Sequence, residues 1–326
     1  MDIPARPALP PSLASSPLRP DGLGPDSPSG SRRFRHNPVV RAVLMAVLVL
    51  GLMQLCAAVA SRSGSSDAWL IVLMVVGAVL GYLIMARAVD GRRRPFELDP
   101  GRWSGVLWGL LLGVALFTVC FGILLLTGVY RITGTDTAGP WLVPALTMGL
   151  MAGVVEEILL RAGLHRLVEQ GLGTWGSAVV SGTLFGLLHL VNPDGSLWGA
   201  IAIALEAGLS FALLYTLTRS LWVVMGLHAA WNLTQGMLFG AVVSGSGGNE
   251  LGLLVSEPVG PDWLSGGSFG PEASPVTVAV MLVWTVGLAV LLVRRRLVVA
   301  PIWERRRRSA SARDTAPQAE PSYLTP

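Results

Sequence analysis

The chain has 326 residues, 52% of them hydrophobic and only 13% charged, about half the ~25% charged share of a soluble domain. So few charges cannot cover a soluble globule of this length, and all 24 Lys-or-Arg positions are arginine, which excludes Schiff-base chemistry and a lysine-dependent phosphate loop. The net charge of +4 does not signal nucleic acid, because the arginines flank long apolar runs instead of forming a soluble basic face; the expected partner is the lipid bilayer.

Residues 1–37 are rich in Pro, Ser and Gly, are interrupted by Arg32, Arg33 and Arg35, and lack apolar periodicity, which predicts a disordered tail. Their charged stretch is far too long for the n-region of a cleaved signal peptide. A ~30 Å hydrocarbon core needs about 20 apolar residues at a 1.5 Å rise. On that template the chain carries eight spans, at about 40–60, 68–86, 104–128, 141–165, 174–192, 197–218, 221–243 and 275–293. The predicted class is all-α, a polytopic transmembrane helix bundle over 38–293, followed by a basic tail at 294–326. Cys56 and Cys120 fall inside apolar stretches without metal-ligand spacing and read as packed thiols.

Arginine placement sets the orientation, since short cytoplasmic loops retain positive charge. With the N-terminus inside, the inner segments hold Arg41, Arg87, Arg92 to Arg94, Arg102, Arg161, Arg166, Arg219, Arg294 to Arg296 and Arg305 to Arg308, while the outer loops hold only Arg62 and Arg131. The loop at 244–274 has Glu250, Glu257, Asp262 and Glu272 and no basic residue, and is expected to be extracytoplasmic. Both termini are then cytoplasmic, in a multi-pass protein of the cell membrane. Glycines four apart, at Gly77/Gly81, Gly109/Gly113, Gly149/Gly153 and Gly182/Gly186, allow close helix approach.

Ionisable groups inside spans cost at least ~2.5–3.5 kcal/mol each and need a reason. They are Glu156, Glu157 and Arg161 in the fourth span, His189 in the fifth, Glu206 in the sixth, and His228 with Asn232 in the seventh. Glu157 and Arg161 are four apart and share a helix face, so they can pair. Glu156 is rotated ~100° away and has no local counter-charge, which suits a general base that takes a proton and returns it. Phe185 precedes His189 by one turn and can orient its ring. His228 and Asn232 project together, and the amide can orient the imidazole or donate to an oxyanion. His165 is expected near the inner boundary. Glu206 reads equally as a structural hydrogen-bonding group and as a cavity-lining one.

Three motifs stand in order on successive apolar segments: Glu156-Glu157-x-x-x-Arg161, Phe185-x-x-x-His189 and His228-x-x-x-Asn232. Together they resemble the CPBP family, which comprises CAAX prenyl endopeptidases and bacteriocin-processing or immunity proteins, also labelled Abi. The resemblance covers about 141–243; Ala162 stands where that family usually has Gly. It implies an intramembrane endopeptidase acting on a membrane-associated or prenylated, CAAX-type protein or peptide. By residue-by-residue match, Glu156 and His189 would activate water, while His228 and Asn232 would bind the oxyanion. A metal version would instead hold Zn²⁺ on His189, His228 and Glu156; no H-E-x-x-H is present to support it. A proton-coupled transporter and a non-catalytic immunity or scaffold protein are the competing classes. Straight spans raise one geometric difficulty: at 1.5 Å per residue they leave Glu156 and His189 ~10–18 Å apart in depth. The helix-compatible run after His165 relieves it if the fourth helix continues past the boundary.

Overall fold

The computed structural model describes residues 37–248 and 252–307; the tail expected at 1–37, apart from Asn37, and residues 308–326 of the basic tail lie outside the described residues. Helix α1 (Pro38–Arg62) begins where the Asn37 carboxamide oxygen accepts from Val39 N at 2.9 Å and Val40 N at 3.4 Å, with Pro38 at the first helical position. That combination satisfies free amides at a helix start. It is followed by α2 (Asp67–Val89) and α3 (Gly105–Leu126). Strand β1 (Tyr130–Thr135) then pairs antiparallel with β2 (Leu254–Pro258), across a register shift between Ile132 and Gly134.

The next helix, Leu142–Val191, has 50 residues, but Gly173 (φ 71°, ψ −177°) breaks it into α4 (142–172) and α5 (174–191). A Cβ at Gly173 would lie 2.5 Å from Val299 O, so both the left-handed backbone and the close approach require glycine. Helix α6 (Leu197–Thr218), α7 (221–238) and α8 (Pro275–Arg294) complete the bundle. Among the described residues, six helices are long and apolar enough to cross a membrane. The expected fourth and fifth spans are the two arms of one of them. The expected seventh, 221–243, is helical only to Leu238 and is not among the six.

The arginine-bearing segments meet at one end of the bundle. Asp90 receives Arg41 at 2.6 Å, Arg166 at 2.8 Å and Arg92 at 3.2 Å, and Glu97 receives Arg92 at 2.7 Å. Glu169 binds Arg219, while Arg102 donates to Thr218 O at 2.6 Å. The segment after α8 is pinned to the same end, because Thr174 N donates to Val299 O at 3.0 Å and Val299 N to Thr174 Oγ1 at 2.9 Å. The antiparallel β1–β2 pair, with its Arg131–Glu257 contact, lies at the other end of α3.

Close glycine contacts set the helix spacing. A Cβ at Gly109 would come within 2.1 Å of Val223 O and one at Gly113 within 2.4 Å of Leu227 O, so α3 lies directly on the α7 backbone. Gly186 brings α5 as close to α6, 2.1 Å from Ala200 O, whereas Gly149 is looser, 3.3 Å from the Leu233 side chain. Phe117, Phe121, Trp231 and Phe239 fill the space between α3 and the end of α7.

Two outcomes follow for stability. Gly109→Val is expected to cost about 1–3 kcal/mol or more through overpacking against backbone, read as a lower unfolding midpoint in detergent. At the arginine end, burial pushes the Asp90 and Glu97 carboxyls up, but the neighbouring guanidiniums outweigh it and hold both below their ordinary values of 3.8 and 4.5. Their contribution is therefore complete above those values and is lost as pH falls through the depressed ones. Asp90→Asn should lower stability by about 3–5 kcal/mol near neutrality, and its deficit relative to wild type should shrink below about pH 4.

Candidate active site

Helix α4 is π-helical over Thr147–Glu156 and again over Ile158–His165, a wide winding that recurs at functional sites. It carries the two adjacent glutamates in opposite roles. Glu157 is fully buried, and its Oε1 accepts from Arg161 Nη1 at 3.0 Å and from His228 Nδ1 at 2.8 Å. The Arg161 guanidinium also lies over Phe185 at 4.8 Å and Phe211 at 5.2 Å and donates to Ala207 O at 3.2 Å. One helical turn thus ties α4 to α5, α6 and α7.

Glu156 is turned into a cavity of about 450 Å³. Its side chain is 38% exposed, and its Oε2 is 4.0 Å from His228 Nε2. Oε2 has no hydrogen-bond partner among the described residues. Phe185, His189, His228 and Asn232 line the same cavity, so the residues of the three motifs converge.

The tautomers follow from the partners. A carbonyl can only accept, so His189 Nδ1, 2.8 Å from Phe185 O, carries the proton. The Glu157 carboxylate sets His228 in the same way. In their neutral forms both imidazoles then keep a lone pair on Nε2, which makes no hydrogen bond among the described residues. The Phe185 ring meets both edge-on, with centroids at 4.8 Å from His189 and 5.9 Å from His228, which restricts their rotation. The Asn232 side chain makes no hydrogen bond among the described residues, leaving its amide open to a ligand in the cavity.

The depth difficulty resolves through the path of α4. Glu156 precedes Gly173 by 17 residues and His189 follows it by 16, so a reversal at Gly173 returns them to one level. The seven residues 166–172 continue the helix beyond the boundary expected at 165. His165, expected near the inner boundary, is fully buried within the bundle, with Nε2 2.9 Å from Thr216 Oγ1. Glu206 is buried as well, outside the cavity, with neither carboxyl oxygen hydrogen-bonded among the described residues. Nothing in the structure explains it.

The sequence reading missed Glu272. It treated 244–274 as a loop, but Glu272 is 3% exposed and lines the cavity. Its carboxylate accepts from Trp231 Nε1 at 3.0 Å, Gln235 Nε2 at 3.1 Å, Ser244 N at 2.6 Å and Ser244 Oγ at 2.8 Å. No local pattern marks an acid in a Gly/Pro-rich loop as buried; its donors come from residues 28 to 41 positions away.

Zinc bonds of about 2.0–2.2 Å in a tetrahedron put ligand atoms about 3.3 Å apart, less than the 4.0 Å between Glu156 Oε2 and His228 Nε2. Among the described residues, no group of three or more His, Cys, Asp or Glu side chains is placed to hold a metal ion. Glu156, His189 and His228 do not fit a resident Zn²⁺ in this arrangement.

Residues 137–234 match the family model described as Type II CAAX prenyl endopeptidase Rce1-like. All seven motif residues, Glu156, Glu157, Arg161, Phe185, His189, His228 and Asn232, fall within that Rce1-like segment. The match indicates CAAX-type intramembrane protease activity in a multi-pass helical membrane protein. No curated protein matches the chain.

Within the Rce1-like segment, Arg161→Met leaves the buried Glu157 carboxylate without its guanidinium. Breaking a buried pair from one side should cost about 3–5 kcal/mol, measured by thermal unfolding in detergent.

Proposed function

We propose that the protein is an intramembrane endopeptidase that hydrolyses a peptide bond of a membrane-associated or prenylated, CAAX-type polypeptide with water activated by protein side chains alone. The observation that carries this reading is the convergence of Glu156, His189, His228 and Asn232, from three helices, on one cavity. In the same reading α1 to α8 make eight passes, both termini lie on the cytoplasmic side with the arginines, and the protein resides in the cell membrane.

The chemistry is general-base hydrolysis. Glu156 takes a proton from a water that also donates to the His189 Nε2 lone pair, and the water oxygen attacks the carbonyl carbon. Asn232 donates its amide protons to the resulting oxyanion. His228 adds a second donor when Glu156, whose Oε2 is 4.0 Å from Nε2, passes it the water proton; the Glu157 carboxylate, 2.8 Å from Nδ1, is the counter-charge of that doubly protonated ring, and the proton goes back to Glu156 as the intermediate collapses. Collapse of the intermediate breaks the C–N bond, and Glu156 returns its proton to the leaving amine.

The test is turnover of fluorogenic peptides, with and without a prenyl group, by purified protein in detergent. Glu156→Gln and His189→Ala should each lower kcat by about 10²–10⁴. Asn232→Ala should lower kcat by about 10²–10³ with little change in KM, as expected for a donor used mainly in the transition state. A chelator should leave the rate unchanged. Turnover indifferent to Glu156→Gln would overturn the assignment.

A further inference from the structure

The cavity wall includes an acid that the hydrolysis above does not use. Glu272 lies between α7 and α8, outside the Rce1-like residues 137–234, yet it lines the cavity together with Glu156, His189, His228 and Asn232. A buried carboxylate persists only when it is hydrogen-bonded, and both oxygens of this one are engaged. Oε1 accepts from Trp231, and Oε2 accepts from Gln235 and from both the amide and the hydroxyl of Ser244.

The donors belong to two parts of the fold. Trp231 and Gln235 are four apart on α7 and share a face, so Glu272 grips that helix on either side of Asn232 in sequence. Ser244 lies in the turn after α7, and its carbonyl accepts from Asn192 Nδ2 at 2.7 Å. Asn192 directly follows the single turn His189–Val191 that ends α5. A continuous chain of hydrogen bonds therefore runs from Asn192 through Ser244 and Glu272 to Trp231 and Gln235. It joins the end of the helix that presents His189 to the helix that presents His228 and Asn232.

The segment that carries Glu272 is itself held. Gly245 N donates to Phe269 O at 2.8 Å, and Trp198 Nε1, at the start of α6, donates to Ala273 O at 2.7 Å. The Asn232 amide, in contrast, has no hydrogen bond of its own among the described residues, so the position of its helix places it. An oxyanion donor works only at about 2.7–3.1 Å from the developing charge, and that tolerance makes the hold on α7 matter.

We propose that Glu272 is a positioning residue of the site: acting through Ser244, it fixes Asn232 and His189 relative to each other. Its effect on turnover rests on the protease reading above; the tie between the two helices does not.

The test measures fluorogenic peptide turnover in detergent, well below the unfolding midpoint of every variant, with Glu156→Gln in parallel. Glu272→Gln keeps the shape but sets an NH2 group against N–H or O–H donors whichever way the amide turns. It should lower kcat by about 10–10²-fold, as a small misplacement does, with KM little changed, and Glu272→Asp should recover part of the loss. Asn192→Ala, at a half-buried position, breaks the far end of the chain and should also lower kcat, which keeps the test open if Glu272→Gln does not fold. The double variant should lose about as much as the worse single one, because the two residues act through one chain. A kcat like that of wild type in Glu272→Gln, or losses that multiply in the double variant, would overturn the proposal and leave the protease reading intact. No turnover by the wild type would overturn the protease reading and the catalytic effect with it. The tie is then read by hydrogen exchange, where Glu272→Gln should speed exchange over both 186–192 and 229–238; unchanged exchange in either stretch would overturn it.

Discussion

The Glu157 carboxylate is the interaction on which the rest of the site depends. It is buried without water contact, and a charge in that position persists only when paired and hydrogen-bonded. Arg161, one turn along the same helix, supplies the charge, and His228 Nδ1 supplies the cross-helix bond. One oxygen thereby does three things: it joins α4 to α7, fixes the His228 tautomer, and points the free Nε2 toward Glu156. Arg161 extends the network sideways, lying over Phe185 and Phe211. Phe185 in turn steers His189. Carboxylate, guanidinium, aromatic ring and imidazole form a support in which Glu157 is turned inward, and of the two adjacent glutamates Glu156 faces the cavity.

A second constraint sets depth. Two arms of one helix run present Glu156 and His189 at a common level only because the chain reverses at Gly173, well beyond the end expected for the span. The reversal is locked from outside the motif region: Val299 pairs with Thr174 on both its amide and carbonyl, at a separation too close for any side chain at Gly173. A substitution more than 20 Å along either helix from the reactive groups can therefore shift their relative height. The same closure gathers the arginines and their acids at that end, where buried ion pairs replace water access.

The far end is built differently. The antiparallel β1–β2 pair caps this end, and in the segment leading to α8 Glu272 enters the cavity wall on four donors. Two of those donors sit on α7, Trp231 one residue before Asn232 and Gln235 three after it, so the loop braces the helix that carries the amide. An arginine end held by ion pairs and a far end braced through Glu272 give the molecule a polarity that its helix lengths alone do not have.

Much of this was legible from the amino-acid sequence, and for a physical reason. Scarcity of charge and runs of about 20 apolar residues state the membrane class. Spacings of four put Glu157 with Arg161, Phe185 with His189 and His228 with Asn232, because helix geometry within one turn is local. The glycine pairs announced close helix contacts, and Gly109 and Gly113 make them. Distances between helices are not local. Where α4 ends, which imidazole nitrogen Glu157 engages, that His165 is buried, and that Glu272 leaves its loop for the cavity all depend on partners dozens of residues away. The residues that line the candidate site were named by the sequence; their common depth and their tautomers were decided by the tertiary structure, since only the closed bundle brings Val299 to Gly173 and Glu272 to Trp231.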